Sequence, residues 1–217
     1  MNTIPAPKRR KHHAPRHRVR YVLRKTRPLW HFLQQFVQTP RSVGAICSSS
    51  KCLAEAMARM VPQQNQGLII DLGAGTGCVT GALLRAGIAP QRIVAIEKSR
   101  QFGAIFRKRY PQVPLIVGDA CQLNALLHAL APAEPLCAIV SSLPFRVLPQ
   151  VVVEKIQQQL HVALQERGGL LIQFTYALWM DFPLAKHGFI PHCKQIILKN
   201  IPPARVESYW HCAEPLV

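Results

Sequence analysis

Apolar and polar positions alternate between two rhythms along most of this chain. From Gly67 onward, short near-continuous apolar runs, "LIIDL", "RIVAIE", "PLIVGD", "CAIVSSL" and "LLIQFTY", are separated by stretches with helical spacing at about residues 76–86, 100–110, 121–131 and 150–165. Strands that are apolar throughout, with helices between them, predict a parallel sheet covered on both faces. After Pro191 the order changes to "CKQIILKN" and "IPPARVESYW", two strands with a short connection, which predicts an antiparallel pair at the sheet edge. The expected fold is therefore α/β: a doubly wound, mostly parallel seven-stranded sheet, Rossmann-like in type.

Before this block the pattern is helical. In "CSSSKCLAEAMARMV" a serine at 48–50 is positioned to cap a helix carrying Leu53, Ala56, Met57 and Met60. Upstream, Leu29, Phe32, Leu33, Phe36 and Val37 form an i, i+3, i+4, i+7 stripe that Thr39-Pro40 ends. Residues 1–17 are polar, basic and proline-containing, the composition of a disordered leader. Three parts follow: a basic leader at 1–17, an amphipathic basic helical arm at 18–40 and the main domain at 41–217.

Charge sharpens that division. The formal net charge is +17, yet the first acidic residue is Glu55, and residues 1–54 carry 12 of the positive charges. Such a block binds a polyanion or a membrane surface, or stays solvated. Arg18, Arg20, Arg24, Lys25 and Arg27, followed by Trp30, Phe32 and Phe36, have the make-up of a helix lying on an anionic bilayer. The same stripe fits a helix docked on the core, and one helix can exchange between the two. Seven scattered cysteines without Cys-x-x-Cys spacing argue against a disulfide framework or a zinc site. No metal is expected.

"IIDLGAGTG" carries the first chemistry. A strand ends at Asp71, and Gly73, Gly75 and Gly77 precede a helix, so the backbone can approach a ligand closely. A dinucleotide fingerprint requires glycine at 78, where this chain has cysteine, and the Gly-Lys-Ser/Thr of a phosphate loop is absent. Glu97, Lys98, Asp119 and Ala120 then fall at the carboxyl ends of the second and third strands, where open α/β sheets bind ligands. The Asp-x-Gly-x-Gly-x-Gly spacing with these two acids resembles the class I S-adenosylmethionine-dependent methyltransferases. That resemblance implies S-adenosyl-L-methionine as cofactor, with Glu97 on the ribose hydroxyls and Asp119 receiving the adenine amino group.

"SSLPF", Ser141 to Phe145, follows the fourth strand. Enzymes that methylate planar amines commonly have Asn/Asp-x-Pro-Tyr/Phe here, the side-chain oxygen and a backbone carbonyl accepting the amine protons. Ser142 stands in place of that Asn or Asp and lacks the amide geometry. "PRSVGAI", "SSSKCLAEAM", "DLGAGTG", "GDA", "SSLPF", "GGLLIQFTY" and "KNIPPARVESYW", spanning about residues 29–211, resemble the bacterial phospholipid N-methyltransferase family. "QFTY" and "NIPPA" are the most specific strings.

That resemblance implies methyl transfer from a sulfonium to the amine of phosphatidylethanolamine or a related aminolipid. The enzyme would be cytoplasmic and held peripherally on the inner face of the membrane by the basic helix. Cofactor contacts fall on Asp71, Gly73, Gly75, Gly77, Glu97, Lys98, Asp119, Ala120 and Ser141. Ser142, the Leu143 carbonyl and Tyr176 are the candidate catalytic groups, and Arg41, Pro144, Phe145 and Tyr176 the candidate substrate contacts. Phe145 and Tyr176 could hold a quaternary ammonium by cation–π attraction. Tyr176 serves equally as an ordinary tyrosine anchored by its hydroxyl. His187, His192, Asp181 and Tyr209 read as surface or structural. An RNA adenine methyltransferase is the alternative class, since the basic arm fits RNA on charge alone; Ser142 argues against a nucleic-acid substrate.

Overall fold

The computed structural model describes residues 44–130, 134–146, 148–179, 188–200 and 202–211, with side chains from Lys51 onward. The leader at 1–17, the helical arm at 18–40 with its basic and aromatic side chains, and Arg41 lie outside the described residues.

The elements, in chain order, are α1 (Gly44–Arg59), β1 (Leu68–Leu72), α2 (Cys78–Arg85), β2 (Ile93–Glu97), α3 (Arg100–Arg109), β3 (Leu115–Val117), α4 (Leu123–Leu130), β4 (Leu136–Ser141), α5 (Gln150–Arg167), β5 (Leu170–Thr175), β6 (Phe189–Ile197) and β7 (Ala204–His211). They build a seven-stranded sheet in the order β3-β2-β1-β4-β5-β7-β6. The first five strands run parallel, and β7 pairs antiparallel with both β5 and β6. The parallel strands are hydrophobic on both faces because both faces are covered: every residue of β1, β2 and β4 is buried. Leu53, Met57, Val79, Leu83 and Phe106 of α1, α2 and α3 pack on one side. Leu123, Leu127, Val153, Ile156 and Leu160 of α4 and α5 pack on the other.

One expectation changes. Ser48–Ser50 do not cap α1; the helix begins at Gly44 and runs through them. No glycine or proline interrupts the chain from Ala45 to Val61, so the backbone has no reason to break there. The antiparallel pair stands at the sheet edge as expected, with β6 outermost and β7 between β5 and β6. Packing on the two sides of the sheet covers both faces of β7, with Ala204 and Val206 in one core layer and Tyr209 in the other, and it is buried from Ala204 to Tyr209.

β1 pairs with β2 on one side and β4 on the other. The chain winds outward in both directions from this point, which leaves a crevice at the carboxyl ends of β1 and β4. The turn after β1 and the loop after β4 face each other there.

Candidate active site

Asp71, the penultimate residue of β1, is completely buried and is held by Thr80, the hydroxyl of which donates to Oδ2 at 2.5 Å. Burial pushes its carboxyl from 3.8 up to about 6; the Thr80 hydrogen bonds oppose this, and the nearby Glu97 charge adds to it. Its other oxygen, Oδ1, is buried without a hydrogen-bond partner. The glycine-rich turn then folds over β2, with the Gly73 and Ala74 amides donating to the Ile96 carbonyl at 2.8 and 3.1 Å. Gly75 adopts φ +56°, and a side chain placed there would meet nothing within 4 Å, so the turn opens onto free space. Gly77 and Gly81 are filled instead by the ring of Tyr110, which a Cβ at either position would strike.

Glu97 ends β2 with one carboxylate oxygen on this turn and the other on the loop that follows β2. Oε2 accepts from the Gly75 amide at 2.8 Å and Oε1 from the Ser99 amide at 2.7 Å. A carboxylate has about four acceptor sites, so each oxygen retains one for a ligand hydroxyl. Beyond β3, Asp119 caps a short 3-10 turn through the Cys121 amide at 3.0 Å and pairs with the Lys98 ammonium at 2.7 Å. The Lys98 bond is the main cause that holds the Asp119 carboxyl below its ordinary value. Ala120 follows, buried, and Ser141 is buried at the end of β4. The sequence-predicted cofactor residues thus gather along the carboxyl ends of β1, β2, β3 and β4.

The substrate loop, Ser141 to Phe145, meets the glycine turn directly, since a Cβ on Gly73 would lie 2.7 Å from Leu143 Cδ2. The Ser142 amide donates to the Leu72 carbonyl at 2.9 Å, and Ser142, Leu143 and Pro144 are half-buried. The Leu143 carbonyl, expected to receive an amine proton, already accepts two N–H groups. One is the Phe145 amide at 3.0 Å and the other Gln173 Nε2 at 2.9 Å. Both lone pairs of that oxygen are therefore used within the protein. Phe145, expected to lie on the substrate, is buried in the core among the α4 and α5 side chains.

Tyr176 leaves β5 half-buried, edge-on to Phe174 with ring centroids 5.3 Å apart. Burial raises its phenol above the ordinary value of 10, and the adjoining Asn200 amide opposes the shift. At neutral pH it therefore keeps its proton and acts through hydrogen bonds.

Motif reading missed a buried polar row beneath this corner. Arg205, fully buried on β7, pairs with Glu207 at 3.0 Å and donates to the Leu178 carbonyl at 2.7 Å. Tyr209 completes the row by donating to Glu207 Oε2 at 2.7 Å. Asn200 is buried and donates to the Pro202 carbonyl at 2.6 Å. The signal was present in "QFTY" and "KNIPPARVESYW", whose strings supply both sides of this corner.

No protein-family model matches the chain. Among curated proteins it is similar to the ornithine lipid N-methyltransferase of Singulisphaera acidiphila, 23% identical over 176 residues, which are 80% of this chain and 91% of that one. It is also similar to the ribosomal RNA small subunit methyltransferase A of Anaeromyxobacter dehalogenans, 23% identical over 198 residues, covering 82% and 68% of the two chains. Among solved structures, the magnesium protoporphyrin IX methyltransferase of Synechocystis PCC 6803, solved with bound SAH, matches with a TM-score of 0.61 at 13% identity, over 88% of this chain and 99% of that one. The fold is that of the class I S-adenosylmethionine-dependent methyltransferases.

The residues present suit the cofactor of a class I methyltransferase. The partnerless Asp71 Oδ1 offers a buried acceptor and the space over Gly75 an open cradle. Glu97 and Asp119 add carboxylate acceptors farther along the same edge.

Proposed function

We propose that this protein methylates the primary amine of an aminolipid head group at a membrane surface, using S-adenosylmethionine. Phosphatidylethanolamine is the head group that the sequence resemblance implies. The similarity to an ornithine lipid N-methyltransferase supports a lipid amine and extends the candidates to ornithine lipids.

The observation that carries this reading is the saturated Leu143 carbonyl. A planar exocyclic amine is gripped by a side-chain oxygen and a backbone carbonyl together. Here the first is replaced by the Ser142 hydroxyl and the second is occupied by Gln173 and the Phe145 amide. The buried Phe145 leaves no stacking face for a base. An sp³ amine, which can approach from any direction, needs neither device. The similarity to a ribosomal RNA methyltransferase keeps adenine N6-methylation as the alternative, and the same loop argues against it.

Asp71, the Gly73–Gly77 turn, Glu97, Lys98, Asp119, Ala120 and Ser141 would hold the cofactor, which when bound supplies a methyl group activated by its sulfonium charge. The chain's own part is alignment and proton management. The Ser142 hydroxyl and the Tyr176 phenol orient the amine. An ammonium must first lose a proton, and neither nearby candidate takes it, because Tyr176 stays protonated and both Glu207 oxygens are engaged. The proton therefore leaves to solvent. No helix among the described residues is long and apolar enough to cross a membrane. Attachment falls to the basic arm at 18–40, where each Lys or Arg contributes about 1 kcal/mol near an anionic bilayer. The enzyme then works peripherally on the cytoplasmic face.

The test offers the purified full chain methyl-labelled S-adenosylmethionine with vesicles of phosphatidylethanolamine and phosphatidylglycerol, vesicles containing ornithine lipid, and ribosomal RNA. Label in mono-, di- or trimethylated lipid is the expected result. Label in RNA with clean lipid overturns the reading.

A further inference from the structure

Two contacts join parts of the chain far apart in sequence. β5 and β7 are antiparallel with Thr175 opposite Arg205, so the end of β5 and the start of β7 share one edge of the sheet. Arg205 donates to the Leu178 carbonyl at 2.7 Å, and the Asn200 amide adjoins the Tyr176 hydroxyl. The segment leaving β5 and the turn between β6 and β7 therefore form a single corner. Gln173 ties that corner to the substrate loop.

Trp179 and Leu198 both stand on this corner. They are 88% and 74% exposed, more than any other large apolar side chain among the described residues. Single exposed apolar residues are ordinary. Here the two extremes share one corner, and it is the corner that holds the candidate amine-binding groups. Lys199 is exposed beside Leu198, and Lys194 is exposed on β6. Between Gly168 and His211 the one acid among the described residues is Glu207, which is buried and paired. Among the described residues the exposed charge of the corner is thus positive.

Protruding Trp and Leu side chains flanked by lysines suit a headgroup boundary, where indole and aliphatic groups leave water while ammonium groups meet lipid phosphates. A stable protein partner would need a continuous surface of about 800 Å² on each side; two projecting side chains on a basic rim do not supply that. We propose that the Trp179–Leu198 corner inserts into the headgroup region of an anionic bilayer and turns the substrate loop toward the lipid amines. It is a second membrane contact, borne by the methyltransferase domain itself, and it rests on the lipid reading above.

The test uses the full-length chain with Trp30→Phe and Trp210→Phe, leaving Trp179 as the sole indole, and vesicles of phosphatidylethanolamine and phosphatidylglycerol with brominated acyl chains. Quenching of Trp179 on vesicle addition is expected. In the otherwise native chain, Trp179→Ala with Leu198→Ala is expected to weaken vesicle co-sedimentation roughly tenfold. Vesicle-bound protein with unquenched Trp179, or unchanged co-sedimentation of the double alanine variant, overturns the proposal. A sedimentation coefficient that falls in the double variant without vesicles also overturns it, by assigning the corner to a second copy. The quenching needs no turnover, so label on lipid with a silent Trp179 sinks the corner alone. Quenching with label only on RNA sinks the lipid reading instead.

Discussion

Gln173 of β5 donates through Nε2 to the Leu143 carbonyl at 2.9 Å and so fixes the substrate loop to the strand beside it. The same nitrogen donates to the Phe174 carbonyl at 2.8 Å, which leaves the amide no freedom to swing away. Gln173 also lies opposite Glu207 in the β5–β7 register. The buried row on β7 thus stands next to the residue that holds the loop. One face of the antiparallel addition supports the site that the parallel sheet opens.

Gln173→Met keeps the side chain's length and removes both donated bonds. A buried carbonyl deprived of its donor destabilises by about 1–3 kcal/mol, read from the shift in denaturant midpoint. Misplacing the substrate loop by about 1 Å lowers kcat/KM for lipid roughly a hundredfold. Cofactor affinity, measured by calorimetry, stays near the wild-type value, because Gln173 touches none of the glycine turn. Equal loss of cofactor binding would mean that the residue supports the whole site rather than the loop.

Gly75 and Gly87 make a matched pair. Both have positive φ, +56° and +88°, and a Cβ on either meets nothing within 4 Å. Alanine at each position therefore carries the same backbone strain, about 1–2 kcal/mol. Only at Gly75 does the methyl enter the proposed cradle. Gly75→Ala is expected to lower S-adenosylmethionine affinity at least tenfold, while Gly87→Ala lowers stability alone. The check is calorimetric titration of both variants beside their unfolding curves.

Much of this was legible in the residue pattern, for physical reasons that also show where reading stopped. "LIIDL" matches β1 residue for residue, because a strand buried on both faces reads as one apolar run, broken here by Asp71 alone. "PLIVGD" overruns β3, which ends at Val117, since the Asp119 side chain turns the chain into a 3-10 cap on Cys121. Asp71, Glu97 and Asp119 were readable because strand ends fix their place. Arg205 and Glu207 were not. In an alternating strand a charged residue ordinarily marks the solvent face, whereas β7 is packed on both faces, Ala204 and Val206 in one core layer and Tyr209 in the other. Strand order depends on tertiary packing, and the periodicity of one strand does not record it.

The Arg205–Glu207 pair follows from that burial. Arg205→Met removes one partner and leaves the Glu207 carboxylate in the interior with the Tyr209 hydroxyl as its other bond. Breaking a buried ion pair on one side costs about 3–5 kcal/mol. Adding Glu207→Gln to Arg205→Met removes the stranded charge and is expected to recover part of the loss. A double variant no more stable than Arg205→Met would show that packing of the guanidinium, and not charge, dominates.

Asp71 gives the molecule a pH dependence of opposite sign to that of a salt-bridged carboxylate. Its folded value is about 6, above its ordinary 3.8, so between those values the folded chain keeps a proton that the unfolded chain has released. Stability from this group therefore falls as pH rises from about 4 to about 6, by about 3 kcal/mol in all. Asp71→Asn carries no such proton. The stability difference between variant and wild type should move by that amount in the variant's favour across the window, as followed by urea unfolding at each pH. A cationic ligand reverses the balance by favouring the ionised carboxylate. Cofactor affinity of the wild type should rise as pH passes through about 6, while that of Asp71→Asn stays flat; parallel affinity profiles would mean that Asp71 serves the β1 turn alone and never senses the cofactor's charge.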